Sequence, residues 1–420
     1  MEKQERIIIA IDLKSFYASV ECLDRNLDPF TTPLVVADDS RGDGTIVLAA
    51  SPYIKEKYHV KSRCRLYDVD QNIPGLIIAM PKMQRYLEVS ALINSIYLEY
   101  VSEEDLFVYS IDECFLDCTK YLAIKHDTPK SYARKIIKTI KERTGLTVTA
   151  GIGKNMFMAK ACMDIEAKHK KDFLAQWDYS DIAKHLWPVT PLSKMWGIGS
   201  RLEKRLNQLG FMCVGDIACG DLNLLKSKFG VIGEEIYYHS LGYDDAILQE
   251  SYTSKKKSLS AGQVLLRDYT SDEMPVVIQD MAIELSDRMH EEEVVASNFI
   301  LIVRDKNYVD YSKKIIFTTP TNSAEKLTHA AISKFSEDKE VFKEVLFRQI
   351  YIVAVDVIKD GYYQMSLFED IEKDQQIKTL EEILINIRKK YGTVKAMPCS
   401  ALTLSSTFIN RRNQIGGHHV

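Results

Sequence analysis

Little in this 420-residue chain points to soft-metal or disulfide chemistry. Its eight cysteines form no CxxC pair, and Cys114/Cys118 and Cys213/Cys219 have the wrong spacing and no nearby histidine for a zinc site. Buried thiols in a reduced compartment are the expectation. Long apolar runs are also missing, and no basic-plus-apolar signal opens the chain, so a soluble, cytoplasmic protein with no membrane contact is expected. Nor does one sign of charge dominate. A net charge of −4 and a pI near 6.2 exclude a uniformly cationic surface. The charge is nevertheless uneven: Ser131–Lys171 holds ten Lys/Arg against three acids, and Ser271–Ile300 one Arg against eight acids. Such segregation lets one face meet phosphate while the remainder keeps the molecule soluble. With 46% hydrophobic residues the chain can bury several cores, and about two to four domains are expected.

The richest stretch is Tyr109-Ser110-Ile111-Asp112-Glu113-Cys114-Phe115-Leu116-Asp117, which reads as two short strands around a turn that carries adjacent carboxylates. Neighbours on a strand point to opposite faces, so Asp112 and Glu113 converge only where the chain bends. Anions held that close repel and raise a pKa unless a cation sits between them. Asp12 ends the apolar run Ile7–Ile11, where a buried strand gives way to a helix. Three acids at strand ends, with no His or Cys among them, suit a hard oxygen-loving ion such as Mg²⁺. Taken singly, each acid is more often a cap or a turn residue. Their combination carries weight because of the order of the elements around them.

Residues 1–24 read as a strand and then a helix, with Ser15 as N-cap and Phe16, Tyr17, Val20 and Leu23 at helical spacing. Asp38–Gly44 is a turn between strands at Pro33–Ala37 and Thr45–Ala50. Amphipathic helices follow at 81–101 and 130–143, on either side of the acidic hairpin, then a strand at Leu146–Ile152 and a helix from Asn155. Strand–helix–strand–strand–helix–strand is the ferredoxin-like order, and it sets the end of the first strand beside the hairpin. From about Gln176 to Tyr243 the pattern is short helices with Gly-punctuated turns. A Lys-rich link leads to a second α/β unit with helices at Asp272–Glu293 and Ala324–Phe335 and strands at Ser297–Val303, Ile315–Thr318 and Gln349–Val357. The rest reads as a polar tail with one helical stretch near Lys378–Tyr391.

Several motifs in this order resemble those of the Y-family (UmuC/DinB-type) translesion DNA polymerases. Ile11-Asp12-Leu13-Lys14-Ser15-Phe16-Tyr17-Ala18-Ser19-Val20-Glu21 looks like their first motif, and Ser110–Asp117 like their second. Gly151-Ile152-Gly153-Lys154-Asn155 with Ala159, Lys160 and Asp164 looks like a third, and Trp196-Gly197-Ile198-Gly199 like a hairpin-helix-hairpin. The match spans roughly residues 5–358, and the Arg411-Arg412-Asn413-Gln414-Ile415-Gly416-Gly417 ending is similar to that of Gram-positive UmuC-like members. The resemblance implies an α/β (α+β) right-hand polymerase. Its ferredoxin-like palm would span 1–24 and 81–175, its small fingers 25–80, its helical thumb 176–245 and its linker 246–258. A little finger at 259–358 and a tail at 359–420 would follow.

It further implies a low-fidelity DNA-directed DNA polymerase that transfers a nucleotide from dNTP to a primer 3′-OH with two Mg²⁺, or Mn²⁺ as substitute, in an SOS-type damage response. Asp12, Asp112, Glu113 and the Leu13 carbonyl would hold the ions. Phe16 and Tyr17 would lie at the nucleotide, with Tyr17 as a ring under the sugar that leaves no room for a 2′-OH; core packing is its plain alternative. Tyr53 matches a triphosphate contact. The arginine expected three residues later is Glu56 here, leaving Lys55 as the nearby cation, and the lysine expected after Asp164 arrives one position late as Lys168. Gly197, Gly199 and Arg201, with Lys255, Lys256 and Lys257, would meet DNA phosphates. Gln364, Leu367 and Phe368 resemble a peptide that binds the bacterial sliding clamp. A monomer working on primer-template DNA, with or without a small accessory subunit, is the expectation. Two rivals remain open: a nucleotide cyclase on the same palm, which needs no thumb, and a DNA-binding scaffold without turnover.

Overall fold

Burial on both sides of the first strand sets the architecture. In the computed structural model, which describes residues 6–61, 63–248, 257–361 and 371–419, Ile8–Leu13 forms β1. Ile9, Ile11 and Leu13 enter one core, and Ile8 and Ala10 enter another on the opposite face. Near-continuous apolar sequence is what such a doubly covered strand requires. The chain then turns through Ser15, in the left-handed region at φ 51°, into helix α1 (Phe16–Leu23). Ser15 holds the N-cap position but makes no capping hydrogen bond, because its backbone is not extended there.

The next segment builds a three-stranded sheet from β2 (Leu34–Val36), β3 (Ala49–Ala50) and β4 (Ile77–Ala79), with β2 in the middle. The strand expected over Thr45–Ala50 is only two residues long. Thr45 and Val47 instead bond to the returning loop, through Leu66 N to Thr45 O and Val47 N to Cys64 O, both at 2.9 Å. Between β3 and β4 stands α2 (Pro52–Tyr58), whose N-cap Ser51 accepts from Ile54 N and whose first residue is proline.

Helix α3 (Met83–Tyr97) leads to the hairpin strands β5 (Leu106–Val108) and β6 (Glu113–Asp117). After α4 (Thr119–Lys125) and α5 (Pro129–Thr144) come β7 (Val148–Gly153), α6 (Met156–Ile165) and β8 (Leu174–Gln176). The strands align as β5-β6-β1-β7-β8, the ferredoxin-like order with one strand added at the edge. Helices α1, α3 and α5 cover one face, and α6 lies on the other. Glycine makes that second contact possible. A Cβ on Gly151 would lie 2.3 Å from Ala159 O, and one on Gly153 2.4 Å from Ala159 N.

Five short helices follow: α7 (Ile182–His185), α8 (Ser200–Gln208), α9 (Val214–Ala218), α10 (Leu222–Phe229) and α11 (Val231–Ser240). They share a core with Phe157, Met158 and Trp177. Asn155 ties this region to α6: its side chain caps the helix at Met158 N (2.7 Å) and donates to Gly242 O (2.8 Å).

The second compact unit, from Thr253 onward, contains β9 (Leu259–Tyr269), α12 (Met274–Glu291), β10 (Val294–Asp305), β11 (Asp310–Thr321), α13 (Ala324–Ser336) and β12 (Phe347–Val355). The sheet order is β11-β10-β12-β9. The last part of the chain is not the polar tail its composition suggests. Helix α14 (Ile371–Tyr391) and α15 (Phe408–Arg412) fold back on the unit, burying Ile385, Ala401 and Phe408. The acidic face of α12 receives them. Asp280 accepts from Thr407 N (2.7 Å), Glu284 pairs with Arg411 (2.6 Å) and Asp287 with Arg388 (2.9 Å) and Arg412. The acids of residues 271–300 are therefore partly consumed inside the unit rather than left to solvent.

Candidate active site

The β1–β6 register sets Asp12 directly opposite Glu113. By strand alternation the two side chains share the α6 face with Ala10 and Phe115. Residues 110–112 form the bend that the sequence requires before β6 begins. Polar groups fix that bend. Ser110 Oγ donates to Asp112 Oδ1 at 2.9 Å and accepts from Glu113 N at 3.1 Å, while Leu13 N donates to Asp112 O at 2.9 Å. Asp12, Asp112 and Glu113 are thereby drawn to one end of the sheet.

Their electrostatics show the strain of that gathering. Burial pushes Asp112 above the usual carboxylate range, against the Ser110 hydrogen bond and with the Asp12 charge adding to it. Glu113 rises to about 7, first through burial and then through a hydrogen bond shared with Asp12, although Lys160 opposes the rise. Cations answer the acids from α6. Lys160, only 6% exposed, pairs with Glu113 and lies 3.1 Å from Asp164. Lys168 lies 3.0 Å from Asp12 and 2.8 Å from Asp164. Burial opposes charge on Lys168, but Asp12 and Asp164 outweigh it and raise its pKa. The late position of Lys168 has a structural reason. Helix α6 stops at Ile165, and a tighter turn at Ala167–His169 swings the ammonium back over the acids.

Lys55 also arrives here. Its Nζ donates to Ser15 Oγ at 2.9 Å, and burial lowers its pKa while Asp12 draws it up. Tyr53 is turned elsewhere: its hydroxyl accepts from Lys57 Nζ at 2.8 Å. Phe16 is buried, whereas Tyr17 is half-buried, stacked on Tyr86, and has its pKa raised by burial and then by Asp112. Both aromatic residues nevertheless border the same core, their rings 5.5 Å apart.

Farther away, Gly197 takes φ 94° and Gly199 occupies the N-cap position of α8 with open space around it, and Arg201 is exposed. Lys257 is exposed, while Lys255, Lys256, Gln364, Leu367 and Phe368 lie outside the described residues. Two members of the site, Lys160 and Asp164, belong to the third motif of the sequence but were assigned no role there. Their four-residue spacing on the helix that the Gly151/Gly153 pair lets approach was the available signal.

Among the described residues, no three metal-type side chains are gathered closely enough to hold an ion as they stand. Lys160 and Lys168 take up Glu113 and Asp12 instead. The donor set still fits a hard divalent cation, since it is all oxygen and sets Asp12 opposite Glu113, a carboxylate pair whose repulsion such an ion would relieve.

The impB/mucB/samB family profile matches residues 11–164, its C-terminal domain profile residues 256–367, and the IMS family HHH motif residues 179–211. The "Putative UV-damage repair protein UvrX" of Bacillus subtilis (strain 168) is 32% identical over 415 residues, covering 98% of this chain and 97% of the relative. "DNA polymerase IV 2" of the same organism is 29% identical over 424 residues, 99% of each. A solved "Y-family DNA polymerase chimera Dbh-Dpo4(243-245)-Dbh" shares the fold at a TM-score of 0.67 and 23% identity, covering 84% of this chain and 99% of that one.

Proposed function

The chain belongs to the impB/mucB/samB family of Y-family, UmuC/DinB-type DNA-directed DNA polymerases, and on that premise we propose that it carries out translesion synthesis at the acidic end of β1 and β6. The observation that carries the reading is the convergence of Asp12, Asp112 and Glu113 beside Lys160 of α6 and Lys168 of the turn after it. Asp12, Asp112 and Glu113, with the Leu13 carbonyl, would hold two Mg²⁺ or Mn²⁺ ions, which when bound neutralise charge during displacement at phosphorus. The primer 3′-oxygen forms a bond to the α-phosphorus of the dNTP and gives up its proton to water; the α–β phosphoanhydride bond breaks, and pyrophosphate leaves. Ser110 and the Leu13 amide hold Asp112 in place, and Lys160 orients Glu113. Lys168 and Lys55 face the site as cations for a triphosphate. Tyr53 joins them only if its hydroxyl leaves Lys57. Phe16 anchors α1 while Tyr17 lies under the sugar. Positioning and charge stabilisation supply most of the acceleration, so no separate general base is needed.

Primer-template DNA would run past Gly197, Gly199 and Arg201 and the Lys255–Lys257 cluster. Gln364, Leu367 and Phe368 would tether the chain to the sliding clamp during a cytoplasmic, SOS-type response. An accessory subunit is not required by the site, and the protein would act as a monomer. Among the described residues, no helix is long and apolar enough to cross a membrane. The test is primer extension on undamaged and lesion-bearing templates, with and without clamp. Asp112→Ala should lose extension by at least about a thousandfold while primer-template binding stays within about twofold. Extension surviving in that variant would sink the assignment.

A further inference from the structure

The ring of Tyr17 rests on an unusually constrained support. Tyr86, near the start of α3, stacks beneath it with centroids 4.3 Å apart and planes 14° from parallel, and Phe16 meets the same Tyr86 ring edge-on at 6.3 Å. Tyr86 has no exposed surface, and its hydroxyl donates to Glu21 Oε1 at 2.9 Å. Glu21 is itself fully buried, which is a costly place for a carboxylate. Its charge is met by Arg25, which also donates to Glu21 O at 2.8 Å, and by Lys82 at 3.8 Å. Residues 17 and 21 are one helical turn apart, so the carboxylate lies on the same side of α1 as the ring whose support it holds.

From this arrangement we infer that Glu21 and Tyr86 are positioning residues for sugar selection, fixing Tyr17 so that it cannot retreat from a 2′-OH. The inference rests on the reading of Tyr17 as the residue under the sugar. A ring rejects a hydroxyl only to the extent that it cannot move aside, and apolar packing alone would leave Tyr86 free to slide. A Phe at 86 and a Leu at 21 would fill the same space without a buried ion. What the hydrogen bond adds is a single place for the Tyr86 ring, the use for which buried polar pairs are best suited. Neither residue touches substrate in this scheme. Their effect passes wholly through Tyr17.

Single-nucleotide incorporation by the full chain, with dNTP and the matching rNTP compared as a ratio of kcat/KM, separates the possibilities. Tyr17→Ala should lose most of the discrimination. Tyr86→Ala, which opens a space under the ring, should lose about tenfold, and Tyr86→Phe and Glu21→Leu about threefold each. The Tyr86→Phe/Glu21→Leu double variant should be no worse than either single, because both delete one hydrogen bond. Their dNTP kcat/KM should stay within about twofold of the parent's. If Tyr86→Ala does not fold, the two milder variants decide the matter. Wild-type discrimination in both of them, while Tyr17→Ala loses it, overturns the positioning role and leaves the reading of Tyr17 standing. An equal fall for dNTP and rNTP also overturns it, since that is mere structural support. Unchanged discrimination in Tyr17→Ala removes the reading on which the inference rests.

Discussion

The two α/β units repeat one element order, strand–helix–strand–strand–helix–strand, and weave it differently. In the first, the opening strand β1 lies inside the sheet between β6 and β7; in the second, the opening strand β9 lies at the edge. Asp12 therefore has a neighbour on each side, Glu113 and Thr149, and a helix above it. No residue of β9 is so enclosed. The first unit has helices on both faces of its sheet. In the second, α12 and α13 cover one face, and the other leaves Val264, Leu266 and Ile316 more than half exposed. An enclosed strand end can concentrate charge and hold it with buried lysines, whereas an open sheet presents area. Under the proposed function, catalysis would use the first geometry and grip on DNA the second.

Close approach of helix to sheet is what the first unit depends on, so it should break more easily there. A Cβ at Gly151 would strike backbone atoms of Ala159 and Met163, which cannot move without taking α6 and Lys160 with them. At Gly262 in β9 the nearest obstacle is the Tyr351 ring, which is 36% exposed, and the Ile350 carbonyl oxygen is 2.8 Å away, a smaller backbone overlap than at Gly151. Gly151→Ala is expected to cost about 3 kcal/mol or more and to remove primer extension, against about 1 kcal/mol for Gly262→Ala with activity retained. Thermal and urea unfolding of both variants measure the difference. Equal costs would show that the two sheets are packed alike.

A smaller effect sharpens the same contrast. Lys160→Met leaves Glu113 beside Asp12 without its cation. The cost in divalent-free buffer should be about 2–3 kcal/mol, below the full figure for a broken buried pair because Glu113 is partly open to water. Adding Mg²⁺ should raise the melting temperature of this variant more than that of the parent, since the ion replaces the lost charge. Identical Mg²⁺ shifts would mean that the lysine and the ion do not share the same acids.

What the sequence disclosed, and what it hid, follows the reach of each interaction. Periodicity in Ile8–Leu13, Glu113–Asp117, Val148–Gly153 and Pro129–Thr144 suffices to order the first sheet, and that order alone brings Asp12 to Glu113. Lys160 and Asp164 were visible as motif residues, but their pairing with the acids was not, because it depends on α6 closing over two glycines, a contact no local pattern states. The hairpin strands β10 and β11 run well beyond their apolar centres. Their polar ends pair across the ladder, as Arg304 does with Asp310, so hydrophobicity underestimates them. The folding back of the last residues was invisible for a related reason: charge complementarity between α12 and a segment more than a hundred residues later leaves no periodic trace.

That charge pairing gives the smallest predicted effect and the clearest difference in kind from the first unit. Arg411 and its partner Glu284 remain 21% and 25% exposed, and Arg412 and Asp287 14% and 13%. Water reaches both pairs, so each is expected to add only about 0.5–1 kcal/mol. Arg411→Ala should lower stability by that amount, and Arg412→Ala by slightly more because its pair with Asp287 is the more enclosed of the two. Raising salt should shrink both effects, since exposed charges are screened, while the cost of Lys160→Met should change little. If salt erased the Lys160 effect as readily as the Arg411 effect, the acids of β1 and β6 would be no more enclosed than those of α12, and the contrast between the units would lie in topology alone.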